Sequence, residues 1–181
     1  MARQIHLFDP PDRFVAGTVG VPGDRTFYLQ ATGGGRTVSV ALEKAQVALL
    51  AEKVRELLEE VRRRGIDVPL GVPRDLEDVA PLESPVEEEF RVAALALGFE
   101  VGDVKVIIEA QAQGEHEPVE LDDNGEDGPD TLRVRLSPRE ALAFAARAGR
   151  VVDAGRPPCP LCGLPLDPGG HICPRMNGFR H

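Results

Sequence analysis

The only three cysteines of the chain lie in its last segment, CPLCGLPLDPGGHICPRMNGFRH, residues 159–181. Cys159 and Cys162 stand three residues apart on a turn that ends in Gly163. Two thiolates so placed can face one metal ion, and zinc takes thiolate and imidazole ligands in a tetrahedron. The second half, GGHICPRMNG, opens a matching Cys173-Pro174 pair, but Met176 and Asn177 stand where a second cysteine is wanted. His171 precedes Cys173 by two residues, and in an extended segment such side chains share one side. The expected ligand set is therefore Cys159, Cys162, His171 and Cys173, holding a structural Zn2+. The rival fourth ligand is His181, which loses more conformational entropy as the terminal residue. Four protein ligands leave no position for water, so the expected site is closed and structural. A Pro/Gly-rich tail has too little apolar surface to fold unaided, which argues against metal-free, buried cysteines.

Other chemistries fit these residues less well. A redox C-x-x-C pair wants a βαβ setting, and this one sits in a Pro/Gly-rich tail. A zinc deaminase needs H-x-E, but His116 is followed by Glu117 and Pro118. The acidic DDNGEDG run places Asp127 where a calcium loop starting at Asp122 requires glycine. That run is read as a solvated, mobile surface loop. Gly33-Gly34-Gly35 has no following Lys-Ser/Thr, so it reads as a hairpin tip, not a phosphate loop. His6 reads as a packed or surface histidine on a strand. Arg156, Arg175 and Arg180, with Phe179, could dock a phosphate, an acidic partner or RNA, but pairing with the chain's own carboxylates is preferred.

The elements that must position this tail are legible in outline. The 181 residues suggest one main domain with an appendage, and 42% hydrophobic with 28% charged residues is ordinary for one buried core. Aromatic residues are only 4% and Trp is absent, so Val, Leu and Ala must fill that core. A net charge of −9 repels phosphate backbones, so nucleic acid is not an expected partner. The start, MARQIHLFDPPDRF, has no charged region followed by an apolar one, and no apolar run approaches a membrane span. A cytoplasmic protein without membrane contact is expected.

Short apolar segments at 5–8, 14–19, 26–31 and 37–41, parted by Pro/Gly/Asp turns, predict an antiparallel β-meander. Over 43–64, Val47, Leu50, Ala51, Val54, Leu57, Leu58 and Val61 recur at helical spacing. Arginines fill the last turn of that helix and Gly65 stops it. Glu59–Arg63 and Glu60–Arg64 are spaced as i,i+4 pairs. Residues 65–88 read as a connecting loop. Strands are expected at about 90–99 and 104–112, joined at Gly102-Asp103, and another at 132–136. Ser137-Pro138-Arg139-Glu140 spells an N-cap, a proline at N1 and a capping box, opening a helix to about Ala148. The predicted class is α+β: an antiparallel meander sheet packed by two helices, with a small zinc-ribbon-like tail. The predicted domains are 1–153, with an acidic loop at 114–130, and a Cys/His tail at 154–181.

GRPPCPLCGLPLDPGGHICPRMNG, together with FDPPDRFVAGTVGVPGDRTFYLQA near the start, resembles an uncharacterised actinobacterial family known as a domain of unknown function. The resemblance covers essentially the whole chain. It implies a bacterial cytosolic protein with a C-terminal metal-type motif and brings no activity or catalytic residue. The residues themselves give two function classes. One is a non-enzymatic binding or adaptor protein whose zinc tail helps to dock a protein partner. The other is a metal-dependent, hydrolase-like enzyme with its site near the tail, which would need His171 to leave the metal open to water. RNA binding by the tail is a third, weaker class.

Overall fold

The computed structural model describes residues 2–21 and 23–154. In chain order the elements are β1 (Ile5–Phe8), β2 (Arg13–Val21), β3 (Asp24–Gly33), β4 (Arg36–Leu42), α1 (Lys44–Arg63), β5 (Glu88–Glu100), β6 (Lys105–Ala112), β7 (Thr131–Leu136) and α2 (Pro138–Asp153). The class is α+β, with a seven-stranded, mostly antiparallel sheet and two helices. The sheet order is β1-β7-β6-β5-β4-β3-β2.

The expected meander holds for β2, β3 and β4, whose tight turn at Gly34 and Gly35 uses positive φ at both glycines, +58° and +76°. It fails for β1. That strand does not pair with β2 but runs parallel to β7, with Ile5 opposite Thr131 and Phe8 opposite Val134. A second parallel pair joins β4 to β5, because α1 and the 65–88 segment carry the chain back to the same end of the sheet.

One face of the sheet is apolar at every second residue. Leu29, Val40, Ile108, Leu132 and Val134 point to it and are buried beneath the helices. α1 contributes Val47, Leu50, Ala51, Val54, Leu58 and Val61. It stops where Gly65 adopts φ +94° and Ile66 N–H donates back to Val61 O at 3.0 Å, a Schellman closure. At its end Glu60 pairs with Arg64 as expected, but Arg63 also turns to Glu60 and leaves Glu59 to Arg62. α2 begins as its sequence dictates. Glu140 N–H donates to Ser137 Oγ at 3.2 Å, and Ser137 N–H donates to Glu140 Oε1 at 2.9 Å. It continues to Asp153, beyond the expected Ala148. α2 packs on α1 and touches both β2 and the β6–β7 pair, from opposite halves of the sheet. The sheet is accordingly curled. Its ends approach where Arg36 Nη2 donates to Leu7 O at 3.0 Å and Phe8 packs against Gly33.

The opposite face carries buried polar residues, and two loops lie over it by the same device. Gln30 on β3 accepts from Glu83 N–H at 2.8 Å and donates to Glu83 O at 3.2 Å. Gln111 on β6 accepts from Val119 N–H and donates to Val119 O, both at 3.0 Å. Each side-chain amide thus does for one loop residue what a neighbouring strand would do. Beside each latch a leucine lies on a bare glycine, Leu82 on Gly17 and Leu121 on Gly98, and a Cβ at either glycine would overlap it.

The second of these loops is the acidic one. Its expected solvated character is corrected in part. Arg133, buried on β7, donates from Nε to Glu109 Oε2 at 2.7 Å, from Nη1 to Asn124 Oδ1 at 2.7 Å and from Nη2 to Asp123 O at 2.8 Å. Arg3 Nη1 donates to Asp123 Oδ1 at 3.0 Å and Gly125 O at 3.1 Å. Glu115, Glu117, Glu120, Glu126 and Asp127 remain exposed. The buried Arg133–Glu109 pair is the reason the loop has a fixed anchor. A charge pair taken out of water needs its remaining donors satisfied, and loop oxygens satisfy them.

Candidate functional site

Arg13, at the start of β2, Asp78, in the segment between α1 and β5, and Arg147, on α2, meet at the floor of a cleft of about 430 Å3. Three elements distant in sequence make it. β2 supplies Arg13 and Phe14, α2 supplies Ala143, Phe144 and Arg147, and residues 75–80 close the side. The Phe14 and Phe144 rings stack with centroids 4.6 Å apart, which fixes α2 against β2 and brings Arg147 over the strand. Arg147 then donates from Nε to Ala16 O at 2.9 Å, occupying a carbonyl of the edge strand β2.

Asp78 holds the two guanidiniums together. Arg13 grips it in a fork, Nε to Oδ2 at 2.7 Å and Nη2 to Oδ1 at 3.1 Å. Arg147 Nη1 donates to Oδ1 at 2.9 Å and to the Asp78 carbonyl at 2.9 Å. Ala80 N–H donates to Oδ1 at 3.1 Å. The hydrogen bond from Arg13 holds the Asp78 carboxyl below the usual aspartate range, against the opposing effect of burial. For Arg147 burial dominates and pulls its guanidinium below the ordinary arginine value, with Asp78 opposing. It remains a cation at neutral pH. Acidic side chains border the cleft, among them Asp12, Asp75, Glu77 and Glu140. Two of these are engaged, Asp75 with Arg139 at 3.4 Å and Glu140 in the cap of α2.

Cys159, Cys162, His171 and Cys173, like the rival His181 and the tail arginines, fall outside the described residues. His6 is half-buried on β1, with Nε2 3.6 Å from Glu89 Oε1 and no hydrogen bond among the described residues. His116 borders a smaller cleft of about 370 Å3 between the chain start and the ends of β6 and the acidic loop. Sequence reading did not find Arg13, Asp78 or Arg147. Only Arg147 left a signal: it occupies a buried position of α2, one turn from Phe144, on the face that carries Ala141, Ala145 and Ala148. Asp78 lies in a Pro- and acid-rich stretch where nothing distinguishes it from Asp75 or Glu77.

Among the described residues no helix is long and apolar enough to cross a membrane. No curated protein and no solved structure matches the chain. A family model does match, over residues 6–173, from β1 to the last of the three cysteines. The chain belongs to that family, described as "Protein of unknown function (DUF3090)".

Proposed function

We propose that this is a cytosolic binding protein, an adaptor and not a catalyst. Its α+β body offers the Arg13–Asp78–Arg147 cleft to a protein partner, and its tail is organised by a structural zinc on Cys159, Cys162, His171 and Cys173. The observation that carries the reading is the state of Asp78. A general acid or base needs a carboxyl poised near neutrality. Asp78 is shifted the other way by Arg13, and its two oxygens already receive four donors, from Arg13 Nε and Nη2, Arg147 Nη1 and Ala80 N–H. A carboxylate held like this positions arginines and does not move protons. Arginine forks in a sheltered hollow are recognition chemistry.

The zinc assignment rests on the donor set. Three thiolates and an imidazole are the ligands of a closed structural site. The family match takes in all four residues and stops short of His181. The setting implied by the resemblance is an actinobacterial cytosol.

The test is partner capture by the full-length, zinc-loaded chain from an actinobacterial lysate, beside Ala143→Leu, which fills the cleft and leaves the arginines in place. The expected outcome is a defined partner retained by the wild type and lost by the variant. Capture of the same proteins by both, or of none by either, contradicts the reading.

A further inference from the structure

The cleft floor is not electrically balanced. Two guanidiniums share the single carboxylate of Asp78. The next anion, Glu83, is 3.8 Å from Arg13 Nη1 and more than half exposed, so water screens it. Arg147 spends Nε on Ala16 O and Nη1 on Asp78, while its Nη2 makes no hydrogen bond among the described residues. A guanidinium 8% exposed, with one donor nitrogen unused among the described residues, is an incomplete fork. Burial already weighs against its charge, and an incoming anion would relieve that cost.

Part of the cleft wall is apolar. Ala143 and Phe144 of α2, Leu136 and the outward-facing Val79 line the cleft. The border is acidic, through Asp12, Asp75 and Glu77. That border repels any anion, and the attraction of the guanidinium grows with charge in the same proportion, so charge alone does not choose between a monoanion and a dianion. The apolar wall makes the choice: a carboxylate on an organic body has apolar surface to bury there, which inorganic phosphate lacks, and the cleft has room for such a group.

We propose that the cleft between α2 and residues 75–80 binds a monocarboxylate with an apolar body, its carboxylate on Arg147 and its body along Ala143 and Phe144. This deepens the reading of the cleft as a recognition site and rests on it. The carboxylate belongs either to a free small molecule or to the end of a partner chain, and both offer the same chemistry.

The experiment is amide NMR of the full-length, zinc-loaded protein titrated with phenylacetate, with a peptide ending in a free C-terminal phenylalanine, and with inorganic phosphate. Phenylacetate is expected to shift amides of residues 76–80 and 143–147 with a Kd of about 1 mM. Binding should weaken about tenfold in Arg147→Lys, which keeps the charge and loses the fork. It should weaken at least as much in Ala143→Leu, which keeps the arginine and fills the space, so the proposal stays testable if the arginine variant fails to fold. Tighter binding of the peptide than of phenylacetate identifies a chain terminus as the ligand, and the reverse a small molecule. Phosphate is expected neither to shift these amides nor to compete. Absence of a carboxylate effect, an effect unchanged in Ala143→Leu, or stronger binding of phosphate overturns the proposal. If carboxylates fail while Ala143→Leu still loses the captured partner, the ligand class is wrong and the adaptor reading stands. If both fail, the cleft is not a recognition site.

Discussion

Asp78 and Glu109 are both anions held by arginine, and they differ in what surrounds them. Asp78 is partly open to water, and its carboxyl is lowered chiefly by the hydrogen bond from Arg13. A carboxyl lowered in the folded chain adds stability that is fully present above its unfolded value, about 3.9, and is lost as the pH falls through the folded value. Wild-type stability should therefore drop below about pH 4 more steeply than that of Asp78→Asn. At pH 7 the asparagine variant should be less stable by about 2 kcal/mol, since charged hydrogen bonds are lost and two guanidiniums are left facing each other. Urea unfolding at pH 7 and pH 3 measures both. An equal slope with pH in the two proteins contradicts the assignment. Glu109 is fully buried against Arg133. Removing one member of such a pair strands the other, so Glu109→Ala should cost about 3–5 kcal/mol. Glu120→Ala, on the exposed part of the same loop, should change stability by less than about 0.5 kcal/mol. Denaturation midpoints compared between the two variants check this.

At the scale of elements, local rules explain the helices and the hairpins. α1 shows its apolar stripe and its glycine stop in the sequence, and α2 shows its whole N-terminal cap. Ser137→Ala removes the oxygen that accepts Glu140 N–H and should cost about 1 kcal/mol, read as a lower urea midpoint with an unchanged slope. A midpoint equal to the wild type would mean that packing alone fixes the start of α2. The partnership of β1 was not legible, because a four-residue strand carries too little pattern to choose between a neighbour in sequence and β7, far along the chain. Beside it Arg3 and Gln4 bond to residues 123–131, the stretch that leads into β7, and hold β1 against that strand. The anchor of the acidic loop is hidden in the sequence for a related reason. The arginine that anchors it lies on β7, and an alternating Leu-Arg-Val-Arg-Leu strand reads as having its arginines in solvent. Arg133 is buried instead because the loop covers that face.

For the whole molecule, the curled sheet wraps the helices on one face and carries two glutamine-latched loops on the other. That arrangement brings β2, α2 and the Asp78 segment together, although they lie more than sixty residues apart in the chain. No spacing motif can announce a site assembled by curvature. The tail is the reverse case: the four proposed zinc ligands, Cys159, Cys162, His171 and Cys173, stand close together in the sequence. Recognition and hydrolysis differ most sharply at the proposed metal site, because a structural site is closed and a catalytic one keeps a position for water. The decisive measurement is metal content with X-ray absorption at the metal edge, on full-length protein purified without a metal-affinity tag, wild type beside His171→Ala. The binding-protein account expects one zinc per chain with three sulfur ligands and one nitrogen, the nitrogen disappearing in the variant. A wild-type shell of three sulfurs and a water oxygen would contradict it and make the tail a candidate catalytic centre.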